Sequence, residues 1–286
     1  MQNNMEPQTR RVIMEPCSNI RKLGRTALAG KWGKASIVIF LLTMMIEVPQ
    51  FILNYFFGKE VVVDLAKQFN LGAQYQDMVV KYTFSPMSNV YVLLITGPLA
   101  FGATLFFLNL FRNKDAQVSD LFKGFEQIVR TIGLFLYMVL FIILWSLVPI
   151  AGIILGPIAA FRYSQSIFVM IDHPEYPIPM CVSESKRLMI ENKGKYFILL
   201  LSFIGWMLLA AFISGAIGAI YGLMTQSTID ISGGAVQFDA VSTFVIEIIS
   251  LVIASPLMAY VMSTQVAFYE ILTGKIEADV YYPGMY

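Results

Sequence analysis

Three ionisable residues, Glu47, Arg162 and Glu247, lie inside apolar stretches long enough to cross a membrane. With Gln165 and Gln265 they are the side chains best placed to do chemistry away from water. A charge at the centre of a bilayer costs about 2.5–3.5 kcal/mol on insertion scales, which disfavours an unpaired one facing lipid. At about 1.5 Å of rise per residue, Arg162 falls near the middle of its stretch, Glu47 somewhat toward the outer side, and Glu247 closer still to the outer surface. Arg162 is therefore expected to face the protein interior and pair with Glu47, or with Glu247 if the sixth stretch is nearer. Gln165 and Gln265, with Gln50, Asn54 and Asn109, would extend this into a polar cavity. Such a cluster suits the binding of a polar solute or ion. It suits a structural ion pair as well, and Glu247 alone would also fit a residue marking the outer water boundary.

Other chemistry finds no foothold. The sequence has no His-Glu-x-x-His, no Gly-x-Ser-Gly turn, no aspartate pair in facing stretches and no glycine-lysine phosphate loop. Ser214-Gly215 has no histidine near its depth. A metal site would have to draw on His173, Cys17 and Cys181, whose spacing matches no ligand pattern. Neither catalysis, a cofactor nor a metal is expected. Both cysteines fall in segments assigned below to the cytoplasm, where thiols stay reduced, so no disulfide framework is expected.

The composition explains why the search belongs inside a membrane. Of 286 residues 57% are hydrophobic and only 14% charged, with a mean hydropathy of +0.67, against about 25% charged in an ordinary soluble domain. A soluble enzyme or a disordered chain is excluded. Net charge is +1 and the pI near 7.7, so no basic field points to nucleic acid.

A span needs about 20 apolar residues. By that ruler the chain crosses six times: Ala35 to Phe57, Asn89 to Phe111, Thr131 to Pro149, Gly152 to Ile171, Tyr196 to Met224 and Ser242 to Leu272. A tight turn at Pro149 and Gly152 separates the third from the fourth, because one helix from Thr131 to Ile171 would run about 60 Å, twice the core thickness. The first stretch lies too far in and is too long for a cleavable signal peptide. Basic residues concentrate before the first span, between the second and third, and between the fourth and fifth, while the outer loops hold Lys59, Lys67 and Lys81. The positive-inside rule then puts both termini in the cytoplasm.

Each odd-numbered span follows a short stretch with apolar residues at helical spacing and basic flanks. These are Ile20, Leu23, Ala27 and Leu28 beside Arg21, Lys22 and Arg25; Leu121, Phe122, Phe125, Ile128 and Val129 beside Lys123 and Arg130; and, more weakly, Cys181, Val182, Leu188 and Met189 beside Lys186 and Arg187. Each is too short to span and suits a helix lying on anionic lipid headgroups. The expected architecture is all-α: a polytopic membrane protein of six transmembrane helices in three hairpins, each preceded by a basic interfacial amphipathic helix. Residues 1–17 form a polar tail, 18–272 a single membrane domain, and 273–286 a cytoplasmic tail.

Small residues at intervals of four in the fourth span (Gly152, Gly156, Ala160, Ser164), with similar stripes in the fifth (Ala211, Gly215 and Ala219 beside Ser214, Gly218 and Gly222) and sixth (Ser255, Ala259, Ser263, Ala267), predict that these three pack tightly together. Pro98 and Pro256 should kink their spans. In the loop from Gly58 to Ser88, Val61, Val62, Leu65 and Phe69 stand at helical spacing and suggest a helix lying on the outer leaflet.

Several phrases carry a resemblance: Arg25-x-x-Leu28-x-Gly30-x-Trp32; Gly97-Pro98-Leu99-x-x-Gly102 leading to Arg112; Leu121-Phe122-x-Gly124-Phe125; Asp172-x-Pro174; Ser185-Lys186-Arg187-Leu188-Met189; Ser202-Phe203-Ile204-Gly205-Trp206; and Ala267-Phe268-Tyr269. In their order and spacing, over residues 18 to 272, the chain resembles the uncharacterised integral membrane family known as domain of unknown function 975, found mainly in Gram-positive bacteria. It departs from that pattern at Glu191, where a glycine usually follows the Ser185 phrase, and at Pro256-Leu257, where Pro-Tyr is common. The resemblance implies a multi-pass protein of the bacterial cytoplasmic membrane and brings no activity, cofactor or catalytic residue. Two function classes stay open. One is transport, or amphiphile or peptide binding, through the polar interior. The other is an accessory, chaperone-like or self-protection (immunity) role that docks a membrane-protein partner.

Overall fold

Hydrocarbon offers no hydrogen bonds to a peptide backbone, so long apolar runs in lipid must satisfy their own amides as helices. The computed structural model describes residues 11–64, 79–148, 151–224 and 240–281. Among them six helical segments are long and apolar enough to cross a membrane: Trp32–Phe57, Pro86–Phe111, Ile128–Ser146, Gly152–Asp172, Lys193–Tyr221 and Phe244–Leu272. These are the first to sixth spans below. Large apolar side chains such as Ile153, Leu208 and Phe212 lie exposed on them, as lipid-facing positions require.

In chain order the helices are α1 (Cys17–Ala27), α2 (Trp32–Phe57), α3 (Pro86–Phe111), a 3-10 turn (Val118–Phe122), α4 (Lys123–Glu126), α5 (Ile128–Ser146), α6 (Gly152–Tyr163), α7 (Ser166–Asp172), α8 (Ile178–Leu188), α9 (Lys193–Leu201), α10 (Ile204–Met224) and α11 (Ala240–Leu272). Thus the fourth span is broken between α6 and α7, and the fifth between α9 and α10.

Two departures from an all-helical chain appear. Val12–Ile13 (β1) pairs antiparallel with Val280–Tyr281 (β4), tying residues near the two ends together. Lys59–Asp64 (β2) pairs antiparallel with Val79–Phe84 (β3), Lys59 opposite Phe84 and Asp64 opposite Val79. The expected outer-leaflet helix is therefore corrected at Val61 and Val62. The run Val61-Val62-Val63 is β-branched, and the strand conformation suits such side chains better than a helix does. Leu65 and Phe69 lie outside the described residues.

The chain divides into two units. The larger holds residues up to Ile39, Thr96–Gly205 and the chain from Pro256 onward; its core includes Phe106, Phe107, Phe168, Val169 and Tyr269, with a second cluster around Ile20, Met189, Leu199 and Phe268. The C-terminal halves of α3 and α11 are buried on nearly every side within it. The smaller unit holds Phe40–Ile95 and Trp206–Ser255. In it Phe51 stacks on Phe244 at 4.4 Å, and the Tyr91 hydroxyl donates to the Met45 carbonyl.

The segments that precede the odd spans pack against even spans through small residues. A Cβ on Gly24 of α1 would sit 2.7 Å from Thr264 Oγ1, and the Ser263 hydroxyl donates to the Gly24 carbonyl at 2.9 Å. Before the third span, a Cβ on Gly124 would overlap the Pro98 carbonyl oxygen, and one on Gly102 would overlap that of Leu121. Here the expected amphipathic stripe from Leu121 to Val129 is no single helix. It is split into the 3-10 turn, α4 and the start of α5, with Gln127 at φ −120° and ψ 39° between the last two. In α8, Ser185 takes the equivalent part and is described below.

The tight group expected from small residues in the fourth to sixth spans is built only in part: a Cβ on Gly218 of the fifth span would meet Ile246 Cγ2 of the sixth at 3.3 Å. Gly152 and Gly156 abut Ser146 at the end of the third span, and a Cβ on Gly215 would meet nothing within 4 Å.

Candidate functional site

The fourth span breaks at Ser164 and Gln165, both in right-handed helical geometry but turned enough to open the hydrogen-bond ladder. The opening is filled by a side chain from α8. The Ser185 hydroxyl donates to the Arg162 carbonyl at 2.8 Å and accepts the Gln165 backbone N–H at 3.1 Å. One hydroxyl has one donor and two acceptor positions, so a single buried serine serves both loose ends. Lys186 helps to dock α8 there, its ammonium 5.6 Å from the Phe141 ring centroid and 5.4 Å from that of Tyr163.

The side chains at the break are buried and polar. Ser164 Oγ donates to the Phe161 carbonyl at 2.8 Å, and Gln165 Nε2 donates to Ser164 Oγ at 2.9 Å. The Tyr196 hydroxyl of α9 is close to both Ser164 and Gln165, and its ring packs on Phe268 with centroids 5.0 Å apart. Gln165 and Ser166 are fully buried, yet Gln165 Oε1 and Ser166 Oγ have no hydrogen-bond partner among the described residues.

At the other end of α7 lies an ion network. The second, fourth and sixth spans finish together, and Arg112, one residue past α3, joins them. Its Nη1 and Nη2 donate to Asp172 Oδ1 and Oδ2 at 2.8 and 2.9 Å, a bidentate pair, and its Nε donates to Glu270 Oε1 at 2.9 Å. Asp172 also accepts from the Tyr269 hydroxyl at 2.9 Å and from Lys275 Nζ. Burial opposes a charge on Arg112, but its hydrogen bonds to Asp172 and Glu270 outweigh it, and the guanidinium holds its proton above the usual arginine range. Two cations and two carboxylates balance, so this cluster reads as a lock on the span ends. Phe168, stacked on Tyr269 at 4.9 Å, separates it from the polar break about 10 Å along α7 at 1.5 Å per residue.

A second tie holds the loop after α3. Asp120, buried, accepts from Asn109 Nδ2 at 3.1 Å and from the Gln117 N–H at 3.2 Å, and pairs with Lys123. Burial would raise its pKa; the bonds from Lys123, Asn109 and Gln117 prevail and lower it. Asn109, expected to line a cavity, serves this loop instead.

Of the expected polar cluster, Arg162, Gln165 and Gln265 belong to the larger unit and Glu47 and Glu247 to the smaller. Glu247 has Glu47 as its charged neighbour, so these two like charges come near each other. Gln165 lies at the break of the fourth span, among buried polar side chains. Gln265 is half-buried two residues beyond Ser263. Reading the sequence by charge at depth missed Ser185, Glu270 and Lys275, because a buried serine and charges at a span end are unremarkable in composition. The phrases that carry the family resemblance did contain Arg112, Asp172, Ser185 and Tyr269.

Among the described residues no group of three or more His, Cys, Asp or Glu side chains is gathered to hold a metal. No curated protein matches the chain, and no solved structure matches it. A family profile described as protein of unknown function (DUF975) matches residues 14–156 and 150–275. The chain therefore belongs to the DUF975 family, whose function is unknown.

Proposed function

We propose that this chain is a non-catalytic, multi-pass protein of a bacterial cytoplasmic membrane, with both termini in the cytoplasm. It binds a polar or amphiphilic solute within its spans and lets it pass when the span ends open. The observation that carries this reading is the fourth span's break, where fully buried Gln165 and Ser166 keep unpartnered oxygens. Broken helices at membrane depth are tolerated where they are buried in protein or line a cavity, and in transporters such breaks bind the solute. The Arg112 network is then the closed cytoplasmic end. Opening it requires Arg112 to leave Asp172 and Glu270 together, which a partner or solute must offset.

In this reading the segments before the odd spans also seat the protein on anionic lipid. Phe122, Ile128 and Val129 are exposed beside Lys123 and Arg130, a combination suited to the headgroup layer.

The test is access. In a Cys17→Ser, Cys181→Ser background, Gln165→Cys is exposed to a membrane-impermeant thiol reagent in inside-out vesicles, with and without Glu270→Gln. Labelling only when Glu270 is neutral supports a gated interior. No labelling in either form contradicts it.

A further inference from the structure

We propose that the break between α6 and α7 is a binding site for a neutral hydrogen-bond donor: a water molecule, or the hydroxyl or amide N–H of a small solute, held by Gln165 Oε1 and Ser166 Oγ. The orientation of the Gln165 amide follows from its surroundings. Ser164 has spent its one hydroxyl proton on the Phe161 carbonyl, so toward Gln165 it can only accept. The Gln165 NH₂ must therefore face Ser164, as it does at 2.9 Å, and Oε1 is left as a free acceptor. Ser185 cannot satisfy it, because its proton goes to the Arg162 carbonyl and it already accepts from the Gln165 N–H. Ser166 Oγ, on the next residue, completes the site with one further hydroxyl that no group among the described residues uses. Two fully buried polar atoms on successive residues without partners are rare in a folded protein.

The chemistry of the walls sets the ligand class. Gln165 Oε1 can only accept, whereas Ser166 Oγ can accept or donate, so the ligand must donate to the Gln165 oxygen. The formal charge nearest in sequence is the cation Arg162, and the carboxylate at the far end of α7, Asp172, is taken by Arg112, Lys275 and Tyr269. A metal or ammonium cation would exchange its hydration shell for two neutral oxygens, neither of them a carboxylate. An anion would meet only acceptors at Gln165 Oε1. A neutral donor meets neither penalty. The inference rests on the gated reading above only for the route by which a solute arrives; the site itself stands on the local hydrogen bonding.

Thermal unfolding of the full chain in detergent tests it, comparing the parent with Ser166→Ala, with and without acetamide as the neutral amide probe. Ser166 Oγ has no hydrogen-bond partner among the described residues, and alanine is the better helix former. Without a ligand the variant should melt at the same temperature or higher, and that outcome overturns the proposal. With a bound donor, Ser166→Ala lowers Tm by about 2–4 °C. A gap that acetamide leaves unchanged identifies water, and a gap that widens with acetamide identifies a solute. Loss of stability without labelling at position 165 would keep the site and defeat the gated reading. Labelling without loss of stability would do the reverse.

Discussion

At the scale of single residues the molecule depends on a few side chains that mend the backbone where spans break. Ser185 mends the fourth span. Removing its hydroxyl leaves the Arg162 carbonyl and the Gln165 N–H without partners in a buried place, and each such orphan costs about 1–3 kcal/mol. Ser185→Ala should lower the chemical-denaturation midpoint of the purified chain by a corresponding amount, with Ser183→Ala, an exposed neighbour, as the silent control; an unchanged midpoint would remove Ser185 from the account. Position 191 is the opposite case, where the present residue is the costly one. Glu191 stands in the left-handed region at φ 67°, as Gly30 does at φ 72° in the corresponding turn before the first span. A side chain there costs about 1–2 kcal/mol, part of which glycine returns as unfolded-state entropy. Glu191→Gly is predicted to raise Tm by about 2 °C, and a fall would mean that contacts of the Glu191 side chain outweigh the backbone strain. The departure at this position was legible in the sequence; its backbone reason was not, because one residue type carries no dihedral angle.

At the scale of elements the six spans were legible because lipid permits only one solution to a long apolar run, an unbroken count of hydrophobic residues closed into a helix. What the count could not reveal was where those helices break. Ser164-Gln165 and Ser202-Phe203 leave hydropathy unchanged, and the groups that repair them, Ser185 and the Arg21 guanidinium donating to the Ser202 carbonyl, come from other parts of the chain. The helical spacing of Val61 and Val62 misled for a related reason. In a short segment the same residues fit both periods, and the β-branched run decided for strands. The contact between α4 and α3 offers a sharp test of packing. A Cβ on Gly124 would overlap the Pro98 carbonyl, which is backbone and cannot rotate away, whereas one on Gly205 meets nothing within 4 Å. Gly124→Ala should cut the yield of monodisperse protein several-fold, by an overpacking cost of about 1–3 kcal/mol, while Gly205→Ala is neutral or mildly stabilising. Equal behaviour of the two variants would mean that α4 does not dock on α3.

At the scale of the whole molecule, the ion network at the span ends could not be read from the sequence as a network. Arg112, Asp172 and Glu270 look like ordinary span-end charges, and the two carboxylates lie 60 and 158 residues from the arginine. Only a fold that brings three span ends to one place can make them a network. Convergence of the second, fourth and sixth spans on one network means that these three run in the same direction, as an even number of crossings with both termini on one face requires. That arrangement is the central claim, and side-specific labelling of single cysteines in a Cys17→Ser, Cys181→Ser background tests it most directly. Asn113→Cys and Thr273→Cys, each beside the network, should react with an impermeant thiol reagent only from the cytoplasmic side, and Gly58→Cys, at the end of the first span, only from outside. Labelling of position 58 from the same side as 113 and 273 would contradict the account.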